Sequence, residues 1–252
     1  MPPEFNAMLY EKASALQKGW GSKMIADLEL DGSERILDLG CGEGILSAAL
    51  AERVPHGMVV GLDSSKGMIE AAKMRERPNL SFVCKDMLEM GYEGEFDLIY
   101  SNAALHWVKD HDLLLKASSK ALSDKGRLRW SFGGEGNVAN LTQALKHAME
   151  LPEFDFSGFE WPWSMPCIAG FKELAANAGF CDLEVWMDVD DKRFPSFDDM
   201  ARWIDQPCLV PFLEWLKGDE SKRRFRDCVM DEMELSGGFE TFRRLNVRAE
   251  KS

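Results

Sequence analysis

Positive charge is scarce: 30 Lys and Arg stand against 43 Asp and Glu, a formal charge of −13. Phosphate backbones are bound by positive surfaces, so nucleic acid is not an expected partner. Acidic partners are disfavoured as well, unless a local basic patch exists. Lys222–Arg226 ("KRRFR") and the pair Arg243–Arg244 are candidates, both read as solvated element ends. No apolar run approaches the roughly 18 residues of a membrane span, so no membrane is expected. The opening MPPEFNAMLYEKASALQKGW lacks the basic-then-apolar order of a secretion leader. Cysteines at 41, 84, 167, 181, 208 and 228 include no C-x-x-C pair, which argues against a disulfide framework and against a metal site. Repeats and low-complexity tracts are missing too. What remains is a reduced, cytoplasmic, globular protein.

From residue 34 short apolar runs alternate with helical patterns. Strands are predicted at Arg35–Leu39, Val59–Leu62, Leu80–Cys84, Phe96–Ser101 and Gly126–Phe132. Helices are predicted in GILSAALAERV, KGMIEAAKMRE and His111–Leu122. This alternation implies βαβ units and a parallel sheet covered on both faces, a doubly wound α/β fold. Further on, Asn140–Leu151 and Phe171–Ala178 read as helices, the latter stopped by Gly179, and Leu183–Val189 and Thr241–Ala249 read as two more strands. The predicted whole is one domain of seven mostly parallel strands. Its core takes residues 30–190 and 239–250, with a helical cap over 1–29 and a helical insertion over 195–238.

The stretch DLGCGEG sets Gly40, Gly42 and Gly44 behind Asp38, between a strand and a helix. Such a loop lets backbone N–H groups approach a ligand, with the positive helix end behind them. The dinucleotide fingerprint G-x-G-x-x-G would need glycine at 45, where Ile45 stands. Asp38 would also repel a pyrophosphate. A ligand bearing both a carboxylate and an ammonium fits better, the loop amides taking one and Asp38 the other. S-adenosylmethionine has both groups. At the end of the second strand, Asp63 can accept both hydroxyls of a ribose, or can cap the next helix, a task open also to Ser64 and Ser65. Asp86 after the third strand could accept from an adenine amino group, and Met68 and Met87 could flank the ring.

The stretches ILDLGCGEG, VVGLDSSKGMIEAA, FVCKDM and FDLIYSNAALHWV resemble the class I S-adenosylmethionine-dependent methyltransferases over residues 34–135. SNAALHWV is similar to the small-molecule carboxyl methyltransferases, among them the trans-aconitate, malonyl-carrier-protein and insect juvenile hormone acid enzymes. LYEKASALQKGWG resembles the early helix of the last of these, which supplies a tyrosine and a glutamine to the site. The resemblance implies that Gly40, Cys41 and Gly42 line the methionine end of the cofactor, and Asp63 and Ser64 the ribose. It implies adenine contacts from Asp86 and Met87, closure of the cofactor pocket by Asn102 and Ala103, and acceptor contacts from Tyr10, Gln17 and Trp107.

A carboxylate acceptor is ionised at pH 7 and needs no base, whereas an amine or phenol must lose a proton to a nearby group. Of the histidines at 56, 106, 111 and 147, His106 alone falls on the loop after the fourth strand. It is either a candidate base or a residue that holds the loop. Arg129, Arg202 and Arg243 are the candidate cations for an anionic acceptor, and Trp107, Trp161, Trp163 and Trp203 could form an apolar lid. The expected function is O-methylation of a small carboxylate. N- or C-methylation, a nicotinamide-dependent oxidoreductase and a non-catalytic cofactor-binding module are the alternatives. The sequence carries no signal for oligomeric state.

Overall fold

The computed structural model describes residues 15–206 and 208–252. Helix α1 (Ala15–Ala26) leads into β1 (Arg35–Leu39), α2 (Ile45–Arg53), β2 (Met58–Asp63), α3 (Lys66–Ala72) and β3 (Leu80–Cys84). Then come β4 (Phe96–Asn102), α4 (His111–Ala121), β5 (Leu122–Gly133), α5 (Ala139–Glu150), α6 (Ile168–Asn177) and β6 (Phe180–Arg193). Helices α7 (Phe197–Asp205), α8 (Val210–Trp215) and α9 (Asp219–Leu235) precede β7 (Phe239–Lys251).

The seven strands form one sheet in the order β3-β2-β1-β4-β5-β7-β6. β1 to β5 pair in parallel, while β7 runs antiparallel between β5 and β6. The chain winds outward from β1 to β3, then returns across the sheet to β4. The switch therefore falls between β1 and β4, and a ligand crevice is expected beyond their carboxyl ends. Buried on both faces, the central strands carry short apolar runs, with polar residues toward their ends, as in RILDL and FDLIYSN.

One face of the sheet packs Trp130 and Phe132 against α4 and Phe171 of α6, with Phe132 and Phe171 edge to face at 5.5 Å. The other packs Ile36 and Tyr100 beneath α1, α3 and Leu50 of α2. A third cluster joins α5, α7, α8 and α9 around Phe212 and Phe225. Burial of each such side chain stabilises the fold by roughly 1.5–3 kcal/mol.

Several boundaries depart from the sequence pattern. β6 and β7 run well past their apolar stretches because they pair with each other from Phe180–Lys251 to Arg193–Phe239, backbone bonds that side-chain pattern does not report. The KRRFR stretch lies on α9, where Arg224 meets Glu153 and Arg226 meets Asp205, each at 2.7 Å, so these charges are largely matched. No helix among the described residues is long and apolar enough to cross a membrane.

Candidate active site

Three left-handed glycines (φ +71°, +54° and +80° at Gly40, Gly42 and Gly44) curl the chain between β1 and α2. The curl turns the loop amides inward. Gly40 N and Cys41 N both donate to Leu62 O, Gly42 N donates to Asp63 Oδ2 at 3.0 Å, and Gly44 N returns to Cys41 O. This corrects the expectation that these amides take a carboxylate: they build the turn instead. No side chain caps α2, and its first residues, Ile45 and Leu46, line the cavity beside the turn. The helix end is therefore the positive element facing a ligand. Gly40 is also where two loops touch, since a Cβ there would lie 2.2 Å from that of Ala104.

Asp63 lines the cavity, and its carboxylate accepts from Gly42 N and, at 2.9 Å, from Ser65 N. Ser65 Oγ caps α3 by accepting from Met68 N, so the helix does not need Asp63 as its cap. Ser64, Met68 and Met87 share the cavity wall.

Two other acids do not reach it. Asp38 is 2% exposed and points back to Ser47, whose Oγ donates to it at 2.6 Å. Burial, opposed by that hydrogen bond, pushes its pKa up to about 7. Asp86 turns instead to Leu88 N, which it caps at 2.8 Å. The acid that reaches the cavity at this end is Glu43, paired with Lys18 at 2.8 Å. Neither was singled out from sequence, although Glu43 stands inside the glycine stretch and Lys18 follows Gln17.

The far end of the cavity is organised by Asn102 and Arg244. Asn102 Nδ2 donates to Gln17 O at 2.9 Å, while Asn102 Oδ1 accepts from Arg244 Nη2 at 2.7 Å. Arg244 also donates to Ser131 O and Oγ, and its guanidinium carbon lies 4.4 Å from the centre of the Trp20 ring. It is 6% exposed, and burial lowers its pKa to about 10, which leaves it cationic near neutral pH. This burial corrects the expectation of a solvated strand end at Arg244. The alternation of β7 carried the missed signal: Phe242, Arg244 and Asn246 share a face, opposite Leu245 and Val247 in the core.

The three proposed cations lie elsewhere. Arg243 points outward, exposed. Arg202 pairs with Asp199 at 2.5 Å on the exposed side of α7. Arg129 is buried, but stacks over Trp186 away from the cavity.

Gln17, Ala103, His106 and Trp107 line the cavity, and Tyr10 lies outside the described residues. Ala103 holds φ +58°, a strained value for a residue with a Cβ, at the point where β4 opens into the site. His106 Nδ1 faces Gly133 N at 3.5 Å, and burial, with Arg244 nearby, lowers its pKa to about 3. Trp163 and Trp203 also line this cavity, whereas Trp161 borders a neighbouring one. Two buried polar atoms on the wall, Gln17 Oε1 and Trp203 Nε1, have no hydrogen-bond partner among the described residues. Cys41 lines the cavity as a neutral thiol, its pKa raised by burial and by nearby Asp63. No group of His, Cys, Asp and Glu able to hold a metal occurs among the described residues.

A doubly wound sheet whose switch point carries a glycine turn, a strand-end carboxylate and an aromatic chamber defines an α/β enzyme of the nucleoside-cofactor kind. Residues 36–126 match the family described as Methyltransferase domain. Trans-aconitate 2-methyltransferase of Deinococcus radiodurans is 33% identical over 194 residues, 75% of this chain and 74% of that protein. The enzyme of that name from Escherichia coli is 28% identical over 220 residues, 87% of this chain and 84% of that one. In fold the chain resembles phosphoethanolamine N-methyltransferase 2 of Haemonchus contortus, solved with S-adenosylhomocysteine (TM-score 0.65, 18% identity, 97% of this chain). The chain spans 56% of that larger protein. The chain belongs to the class I S-adenosylmethionine-dependent methyltransferases, in the group of the trans-aconitate methyltransferases. It is an enzyme, and its cofactor is S-adenosylmethionine. The cavity suits that cofactor: open space lies before Gly42, and Gln17 Oε1 offers a buried acceptor without a partner among the described residues.

Proposed function

We propose that this methyltransferase O-methylates a small carboxylic acid, in keeping with the names of its relatives. The observation that carries the reading is His106 on the cavity wall: its Nδ1 accepts from Gly133 N, so Nε2 holds the ring proton, and burial keeps the imidazole neutral. With Nδ1 engaged and Nε2 protonated, the ring has no free lone pair to take a proton from an amine or phenol, while a carboxylate needs none removed.

In this reading the uncapped start of α2 takes the carboxylate of the cofactor, Asp63 and Ser64 take the ribose, and Met68 and Met87 flank the adenine. Asn102 and Ala103 close the pocket around its reactive end, and Gln17 and Trp107 face the acceptor. Bound there, S-adenosylmethionine would supply an electrophilic methyl to the acceptor oxygen and leave as S-adenosylhomocysteine. The residues contribute alignment and exclusion of water, which together can lower the barrier by roughly 7–11 kcal/mol.

The test is a screen of carboxylic acids, amines and phenols with methyl-labelled cofactor. The label should appear as base-labile ester. His106→Ala should keep turnover within about tenfold of the parent, because loss of a true general base costs roughly 10²–10⁴-fold. Label confined to base-stable products, or a collapse of turnover in the histidine variant with loss of an acid limb in the pH profile, would overturn the reading.

A further inference from the structure

The acceptor end of the cavity is hydrocarbon and indole, interrupted by few polar atoms. Trp203 packs on Phe242 at 5.3 Å, Phe242 on Trp20 at 5.3 Å, and Trp107 on Trp163 at 5.9 Å. Within this chamber Arg244 is the cation. Its Nε and Nη2 are held by Ser131 and Asn102, and no bond engages Nη1 among the described residues. Trp203, 4% exposed, adds an indole N–H with no partner among those residues.

Charge sets how much anion the cavity accommodates. Its described charged lining is Lys18 and Arg244 against Glu43 and Asp63, with Lys18 already joined to Glu43 at 2.8 Å. The cofactor brings one net positive charge, from a sulfonium and an ammonium against a carboxylate. A single acceptor carboxylate completes the balance. A second or third would lie against tryptophan and phenylalanine with no cation to meet it, which burial penalises heavily.

We propose that the acceptor is a monocarboxylate with an aliphatic or aromatic body, its carboxylate anchored by Arg244 and its body enclosed by Trp20, Trp107, Trp163, Trp203 and Phe242. The inference rests on the O-methylation reading and departs from the tricarboxylate named for the relatives. Asn102 sets the anchor beside the reacting end, because its two amide atoms tie Arg244 to α1. Arg244 is thus a specificity-determining residue, and the transfer releases no proton.

The decisive experiment uses the parent enzyme with a graded panel: straight-chain monocarboxylates of six to twelve carbons, phenylalkanoates, a dicarboxylate series, and trans-aconitate. At least tenfold higher kcat/KM for the monocarboxylates than for trans-aconitate is expected. Tricarboxylate preferred by that margin, or no discrimination, overturns this proposal and leaves carboxyl methylation standing. Methylation of amines alone, giving base-stable product, overturns the underlying reading instead.

Two variants locate the anchor. Arg244→Gln should raise the acceptor KM at least 30-fold while S-adenosylhomocysteine affinity stays within threefold. Trp203→Phe, which removes the N–H and shortens the indole to a single phenyl ring, should raise acceptor KM about threefold to tenfold with the cofactor unaffected. Unchanged acceptor KM in a folded Arg244→Gln enzyme refutes the anchor. If that variant does not fold, Trp203→Phe together with the parent panel decides.

Discussion

Replacing the carboxylate of Asp63 separates two things that it does. It receives Gly42 N at 3.0 Å and Ser65 N at 2.9 Å, and so pins the glycine turn to the start of α3. It also lines the cavity where the ribose is proposed to sit. Hydrogen bonds to a charged acceptor contribute roughly 1.5–3 kcal/mol each. Losing the two that a ribose diol would make, after some replacement by water, should weaken binding by about 2–4 kcal/mol, roughly 30-fold to 1,000-fold.

Asp63→Asn is the sharper variant. It preserves volume, but its NH₂ must face one of two backbone N–H groups, donor against donor, so asparagine should bind S-adenosylhomocysteine little better than alanine. Titration calorimetry on Asp63→Ala and Asp63→Asn reads this directly, with thermal unfolding alongside to register the loosened turn. Affinity within threefold of the parent for both variants would mean that Asp63 only shapes the loop. A weak Ala variant with a fully active Asn variant would mean that the negative charge is not what the ribose meets.

Gly40→Ala should destabilise the fold more than Gly42→Ala by at least about 1 kcal/mol. Both place a Cβ at positive φ, which costs roughly 1–2 kcal/mol, but only at Gly40 does the new carbon strike Ala104, at 2.2 Å, while nothing lies within 4 Å at Gly42. Denaturant midpoints measure the difference, and equal midpoints would remove the loop contact from the account. Asp38 gives a pH signature. Its pKa is about 7 folded against 3.8 unfolded, so its ionisation costs nothing below the lower value, and stability is lost as pH rises toward the upper one. Asp38→Asn keeps an acceptor for Ser47 and removes that cost. The parent should therefore lose about 2–3 kcal/mol more than the variant between pH 5 and pH 8; parallel pH curves would show that the carboxyl is not held in its neutral form.

The parallel core was legible because strands buried on both faces must be apolar in short runs, and βαβ spacing admits few connections. Cavity residues close to the turn were legible for a related reason: Gly40, Gly42 and Asp63 sit where a strand must end and the chain must bend. The direction in which a side chain or amide points is another matter. Asp38 and Asp86 occupy strand ends like that of Asp63, yet one turns to Ser47 and the other to Leu88 N. The loop amides, free to face a ligand on paper, close on Leu62 O and Asp63 once β2 lies alongside. Arg244 is 142 residues from Asn102 in sequence and 2.7 Å away in space. Local preference and hydrophobic period act over a few residues, and they determine elements and their order. The antiparallel insertion of β7 between β5 and β6 acts over the whole chain, and it alone carried a buried arginine into an aromatic chamber beside the glycine turn.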